Sequence, residues 1–263
     1  GPLSYLHPEK DQRLVTTNYL CRLDKDYNVI NFTQIDTSKL DVTPIWTFVG
    51  LEDARLVKWQ GKYYRTGVRR DTTTNGQGRM EYSQIDIDWS TNTVKEKSRI
   101  RIPAPGENNS YCEKNWYPII DQPYHFVKWT MPTEIMKADP KEPKVEQVSL
   151  TTTISAPADQ RGSSQLIPWG NMYICITHEV NLFKNYLEQK DGIYRHRLVL
   201  WDSNYTPVGY SQAFSFLDAR IEFCVGATKL GEDLLLSFGF QDNAAFVLQV
   251  PKAVVEDLIL EAL

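Results

Sequence analysis

The stretch GLEDARLVKWQGKYYRTGVRR, residues 50–70, decides the fold. Residues 54–59 and 63–68 read as two strands, rich in β-branched and aromatic residues and too short for amphipathic helices. Gln60, Gly61 and Lys62 separate them, and the glycine supplies the backbone freedom that a tight hairpin turn demands. The pattern returns at residues 166–169 with 172–177 around Gly170-Asn171, and at 227–230 with 234–238 around Gly231-Glu232-Asp233. Helical periodicity is almost absent before the tail, so the chain reads as all-β.

Working outward, each hairpin follows a charged or amide cluster and precedes a further strand. The clusters are Glu52-Asp53-Ala54-Arg55, Glu113-Lys114-Asn115-Trp116, Arg161-Gly162-Ser163-Ser164 and Arg220-Ile221-Glu222-Phe223. The following strands are expected at 80–87, 134–138, 197–202 and 245–250. A unit recurring every roughly 50 to 60 residues is the signature of a propeller blade. Residues 18–23 with 29–34 resemble most of a fifth blade, which residues 245–250 or those near Leu14 would complete. The expected fold is therefore a five-bladed β-propeller with a short C-terminal helix over 252–263. Residues 1–4 read as an expression-tag remnant, and 5–263 as a single propeller domain cut from a longer protein. The Pro-rich stretches at 102–105 and 139–143 read as surface connections, and the polar segment 181–192 as a loop overhanging a site.

The 263 residues are 41% hydrophobic and 24% charged, enough to build a real core. A net charge of -4, with no basic run longer than Arg69-Arg70, gives no footprint for nucleic acid. No apolar stretch is long enough to span a bilayer. Cys21, Cys112, Cys175 and Cys224 are far apart with apolar neighbours, which reads as buried free thiols in a reducing, cytoplasmic setting. His178 has no motif spacing to His125 or His196, so no metal is expected, and Gly76-Gln77-Gly78 lacks the following helix of a nucleotide loop.

In a propeller the innermost strands line one channel, so polar residues at their starts converge. Here that set is Glu52, Asp53, Arg55, Glu113, Lys114, Asn115, Arg161, Arg220 and Glu222, with Arg69, Arg70, His178, Glu179 and Asp242 on adjoining strand ends. Any one Arg beside a carboxylate is more often a structural ion pair; like-placed clusters in successive blades favour a site. Many donors and acceptors in one pocket suit the hydroxyls of sugars. The tryptophans read as blade core, with Trp116 the candidate sugar-stacking platform.

At these clusters the sequence resembles glycoside hydrolase family 130, the β-mannoside phosphorylases and related hydrolases. Gly50-Leu51-Glu52-Asp53-Ala54-Arg55 with Lys62-Tyr63-Tyr64 is similar to the family's Glu-Asp-Pro-Arg strand and Tyr-Tyr hairpin. Glu113-Lys114-Asn115-Trp116-Tyr117-Pro118 looks like the segment bearing its catalytic acid, and Arg161-Gly162-Ser163-Ser164 like its Arg-Gly-Gly-Thr strand. Residues 222–227 with Gly239-Phe240-Gln241-Asp242 resemble its final blade. The resemblance implies a five-bladed propeller in which one Asp protonates the glycosidic oxygen through a sugar hydroxyl while phosphate attacks the anomeric carbon.

Carried over by position, the resemblance implies that Asp53 is a sugar-binding carboxylate, and for an enzyme the candidate catalytic carboxylates are Glu113, Asp53 and Glu222. Glu52, Arg55, Lys114, Asn115, Trp116, Arg161, Ser163 and Asp242 become sugar contacts, and Arg69, Arg70 and His178 phosphate contacts. Asn115 stands where the family has its acid, and an amide cannot donate a proton as a carboxylic acid does. Two functions are thus expected: phosphorolysis, hydrolysis or glycosyl transfer on β-mannoside-like glycosides, or a non-catalytic glycan-binding propeller of a larger glycosyltransferase-type protein. The expected partner is a carbohydrate, beside any further domains of the parent chain. No cofactor is implied, and inorganic phosphate is the candidate co-substrate.

Overall fold

The computed structural model describes residues 13–72, 76–104, 112–152, 155–157, 159–188 and 190–263. Residues 1–4, read above as a tag remnant, and Pro105 lie outside them. The described chain divides into two compact units, one holding residues 13–115 and 137–146, the other 116–136 and 147–263.

In the first unit a short parallel ribbon joins β1 (Leu14–Val15) to β4 (Phe48–Val49). Between them in sequence, β2 (Tyr19–Leu23) and β3 (Val29–Asp36) form an antiparallel hairpin. The hairpin of residues 50–70 appears as β5 (Leu51–Trp59) and β6 (Lys62–Arg69), paired from Leu51 opposite Arg69 to Trp59 opposite Lys62. Gln60 and Gly61 both take positive φ at its turn, 50° and 77°, which matches the right-handed twist of the flanking strands. β7 (Arg79–Asp88) and β8 (Thr93–Arg101) complete a six-stranded sheet of order β2-β3-β8-β7-β6-β5.

The next sheet runs β9 (Tyr117–Pro118), β10 (His125–Trp129), β11 (Thr133–Ala138) and β12 (Val145–Thr151) in simple succession. The second unit continues with β13 (Arg161–Gly162), β14 (Ile167–Trp169), β15 (Met172–Lys184), β16 (Lys190–Trp201) and β17 (Pro207–Tyr210) in one sheet. Three strands, β18 (Glu222–Leu230), β19 (Asp233–Phe240) and β20 (Ala244–Val250), form the last sheet, and α1 (Lys252–Ala262) follows.

This is the strand succession of a β-propeller with four blades, and it corrects the expected five. The stretch read as most of a fifth blade is the β2–β3 hairpin, which adds to the outer strand β8 through the parallel pairs Ile35–Val94 and Asp36–Lys95. A lone hairpin with one buried residue, Ile35, has no apolar face of its own to build on, so it attaches to an existing sheet edge. The two stretches expected to close a fifth blade are used elsewhere: Leu14 pairs with Phe48, and β20 pairs with β19. The segment 181–192 is likewise no overhanging loop. It extends the β15–β16 hairpin, in register to Lys184 opposite Lys190. All four cysteines are free; Cys175 and Cys224 are buried as expected, whereas Cys21 is exposed and Cys112 half-buried. Among the described residues no helix is long and apolar enough to cross a membrane.

The second unit's core joins Ile174, Ile176, Leu198, Leu200, Leu236 and Phe238 to Val255 and Ala262 of the helix. The helix docks closely, because a Cβ on Gly209 would lie 1.7 Å from the Ala262 carbonyl oxygen. Backbone cannot yield as a flexible side chain can. Gly209→Ala is therefore expected to cost about 1–3 kcal/mol, the range of core overpacking, read as a lower urea midpoint.

Candidate functional site

Within the first unit, the start of β5 gathers the most chemically suggestive group. A bulge interrupts the β5–β6 register between Glu52 and Arg55, and Asp53 within it takes φ 53°. The bulge re-aims side chains that a regular strand would alternate. Buried Arg55 holds it by donating from Nη1 to the Asp53 carbonyl at 2.9 Å. Its position among the expected sugar contacts is thus occupied by a structural task. Arg70 Nε lies 3.8 Å from Glu52 Oε2, and the guanidinium stands 5.4 Å over the Phe48 ring.

Burial lifts the Glu52 carboxyl above the ordinary carboxylate range; Arg70 and Lys114 pull it back, and Asp53 and Asp71 push it further up. Glu52 is thus a part-exposed acid that keeps its proton more readily than a free glutamate, with cations at hand. Of the predicted residues, the structure brings Glu52, Asp53, Arg70 and Lys114 together here. Glu113 is buried, its N–H bonded to the Gly78 carbonyl. Asn115 is buried at φ 63°, and among the described residues its Oδ1 has no hydrogen-bond partner.

The second unit holds a separate polar group. Ser163 Oγ lies 2.8 Å from His178 Nδ1, both buried, and the imidazole stacks on Tyr194 and meets Phe223 edge-on. Arg161 sits opposite His178 in the ladder, 4.4 Å over the Trp129 ring and paired with Asp159 at 2.8 Å. Glu179 ties Arg197 and Gln160 together at 2.8 Å each. Asp242 lies exposed in the turn after β19, at φ 53°.

Two expected contacts and one candidate catalytic carboxylate are held by other partners. Trp116 is 1% exposed and packs on Phe126 with Lys128 over its ring, so it is core and offers no platform for a sugar. Arg69 is buried between Glu81 (2.7 Å) and Asp71 (3.1 Å), which uses the charge a phosphate would need. Glu222 is 0% exposed and accepts the backbone N–H groups of Phe216 (2.6 Å), Leu217 and Ala219 (2.9 Å each). It clamps a turn.

Sequence reasoning missed a buried ion network on one face of the first sheet. Arg65 pairs with Glu96 at 2.8 Å, and Arg99 bridges Glu96 (2.6 Å) and Asp41 (2.8 Å). Burial alone would raise the Glu96 carboxyl, but Arg99 and Arg65 outweigh it and hold it low. The available signal was charge at alternate or fourth positions within apolar strands, as Arg65 and Arg69 in β6 and Arg99 and Arg101 in β8.

Neither a family profile nor a curated protein matches the chain by sequence. Solved structures do match in fold. A candidate glycoside hydrolase from Bacteroides ovatus is similar with TM-score 0.52 and 13% identity over 81% of this chain and 72% of that one. A β-1,2-mannobiose phosphorylase from Listeria innocua, in complex with β-1,2-mannobiose, is similar with TM-score 0.51 and 11% identity over 88% of this chain and 66% of that one. The chain thus spans just under two thirds of that phosphorylase's length, and the likeness to both is one of fold.

Proposed function

We propose that the chain acts on β-mannoside-like glycosides by phosphorolysis, with Glu52 as the proton donor. The observation carrying this reading is the lifted Glu52 carboxyl beside Arg70 and Lys114. An acid that keeps its proton more readily than a free carboxyl, with a pair of cations beside it, is what the reaction uses. Glu52 gives its proton through a hydroxyl of the sugar to the glycosidic oxygen as the bond to the anomeric carbon breaks, a relay that lets the acid stand on the same side as Arg70. Phosphate, drawn to Arg70 and Lys114, attacks that carbon from the opposite face, and the aglycone leaves as an alcohol. An inverting hydrolase would instead need a second carboxylate as base, about 6.5–9.5 Å away with water between. The motif resemblance and the fold likeness to a mannobiose phosphorylase support the substrate class.

Glu52→Gln keeps the shape and removes the proton. It is expected to lower turnover of a β-mannoside with inorganic phosphate by about 100-fold or more, the worth of a positioned general acid, with little change in KM. Wild-type activity should fall as pH rises through the lifted Glu52 pKa, since only the protonated form donates. Undiminished turnover in Glu52→Gln would overturn its role. The second reading, a glycan-binding propeller without catalysis, is favoured by Asn115 at the family's acid position, its Oδ1 without a partner among the described residues. It predicts saturable sugar binding by the wild type with no phosphate-dependent product.

A further inference from the structure

The last sheet of the second unit ends on an exposed strand. β20 is the third strand of that sheet, and among the described residues no strand lies beyond it. In the other blades the corresponding third strands, β7, β11 and β16, are each flanked by a fourth, β8, β12 and β17. Residues 244–250 (AAFVLQV) carry no charge, glycine or proline, and they pair with β19 in unbroken register. Sheet edges are ordinarily guarded by a charge, a proline or a bulge. Among the outer edges here, β12 carries Glu146, β17 opens on Pro207 and β2 carries Arg22. β20 has none of these guards, and its Phe246, Val247 and Leu248 are 43%, 41% and 36% exposed. Phe246 stacks on the core residue Phe238 at 5.7 Å, so the apolar core runs out to this edge. The helix that follows packs on β16, β17 and β19.

The backbone groups of that edge follow from the hairpin. The Gln241 N–H bonds the Ile221 carbonyl on the β18 side, and the Phe240 carbonyl accepts the Asn243 N–H on the β20 side. Consecutive strand residues direct their backbone groups to opposite sides. Phe240, Phe238, Leu236 and Leu234 therefore face β20, and their partners Ala244, Phe246, Leu248 and Val250 face back. That leaves the N–H and C=O groups of Ala245, Val247 and Gln249 pointing outward.

An antiparallel copy of the same strand, related by a two-fold axis at Val247, satisfies all of them. Val247 then pairs with its own counterpart and Ala245 with the second copy's Gln249, while Phe246 packs beside Leu248. The same axis sets Asp242, just before the strand, against Lys252, just after it, at both ends. A parallel copy would set like charge beside like. The opposite charges and the apolar match thus select a second copy of this chain as the occupant. A two-fold pair also uses both edges at once, leaving none to recruit a third copy.

We infer that two copies of this chain associate through β20, each giving the other's last blade its fourth strand in an antiparallel pair centred on Val247. The association does not rest on the reaction assigned to Glu52.

The test is sedimentation equilibrium of the full chain from about 1 µM to about 1 mM, the span of weak association. The wild type should show a reversible monomer–dimer equilibrium. Val247→Lys and Val247→Glu change an exposed side chain, and each sets like charges directly opposite across the axis. Either variant alone should raise the dimer Kd about tenfold or more. An equimolar mixture of the two should recover the association, because Lys then faces Glu, which only this antiparallel register provides. If a Val247 variant fails to fold by its melting transition, Asp242→Lys and Lys252→Glu decide in the same way: each alone repels itself at both ends, and the mixture attracts. A chain that stays monomeric across the range overturns the inference. So does a dimer indifferent to both Val247 variants, or a mixture that stays monomeric while its two components fold.

Discussion

Glu222→Gln is expected to destabilise the chain by about 4 kcal/mol, because hydrogen bonds to a charged acceptor contribute about 1.5–3 kcal/mol each and three converge on this carboxylate. Gln retains one oxygen, which can serve Leu217 and Ala219, but its NH2 then faces the Phe216 N–H, donor against donor. The side chain is fully buried, so water cannot relieve the clash. Urea unfolding reads the loss. Sugar affinity per folded molecule should not change, which separates a turn clamp from a catalytic group. Wild-type stability with abolished turnover would return Glu222 to the role its place at the start of a strand suggested.

That contrast shows what the sequence could carry. Strand-turn-strand units were legible because they rest on local chemistry: alternation, β-branched residues and a glycine where φ must be positive. The pairing of residue 59 with 62 follows from that alone. The number of blades did not, since it depends on whether the β2–β3 hairpin finds a further strand or an existing edge, and two pairs to β8 decide it. The site was legible as a set of residue types and not as a set of roles.

Arg69 and Arg70 show why. They are identical neighbours, yet consecutive strand residues point to opposite faces, so one is buried among carboxylates and the other reaches Glu52 near the surface. The turn clamped by Glu222 was not legible because backbone N–H groups, its hydrogen-bond partners, leave no mark in residue identity. Asp71 was overlooked because its partner in the ladder of contacts is the N–H of Gly50, twenty-one positions earlier.

His196 gives the second large effect, and it is set by acid. The ring is fully buried on β16, opposite His178 in the ladder and against Phe214 and Phe216. Its Nε2 accepts the Cys224 N–H at 3.3 Å, which requires the neutral imidazole. Burial, with a smaller contribution from Arg195, lowers its pKa to about 3. The unfolded chain binds a proton on this group below about pH 6.5, whereas the folded chain refuses it down to about 3. Where the unfolded state binds more protons, stability falls with falling pH. The contribution is complete above pH 6.5 and is lost through the window from 6.5 to 3, at up to about 1.4 kcal/mol per unit.

Between pH 6.5 and 4.5 the loss from His196 alone is therefore about 2.3 kcal/mol, since the slope reaches its full value only once the unfolded imidazole is mostly protonated. Glu96 and Asp41, held low by Arg99 against the opposing effect of burial, begin to act only near the lower end of that interval, and Glu52, lifted by burial, works in the opposite direction. His196→Gln keeps an acceptor for Cys224 and does not titrate. Urea unfolding at the two pH values should show a smaller drop in the variant than in the wild type by about 2–3 kcal/mol, even though the variant starts less stable at pH 7. Equal drops would move the acid sensitivity to another group and leave His196 a packed ring whose proton plays no part in stability.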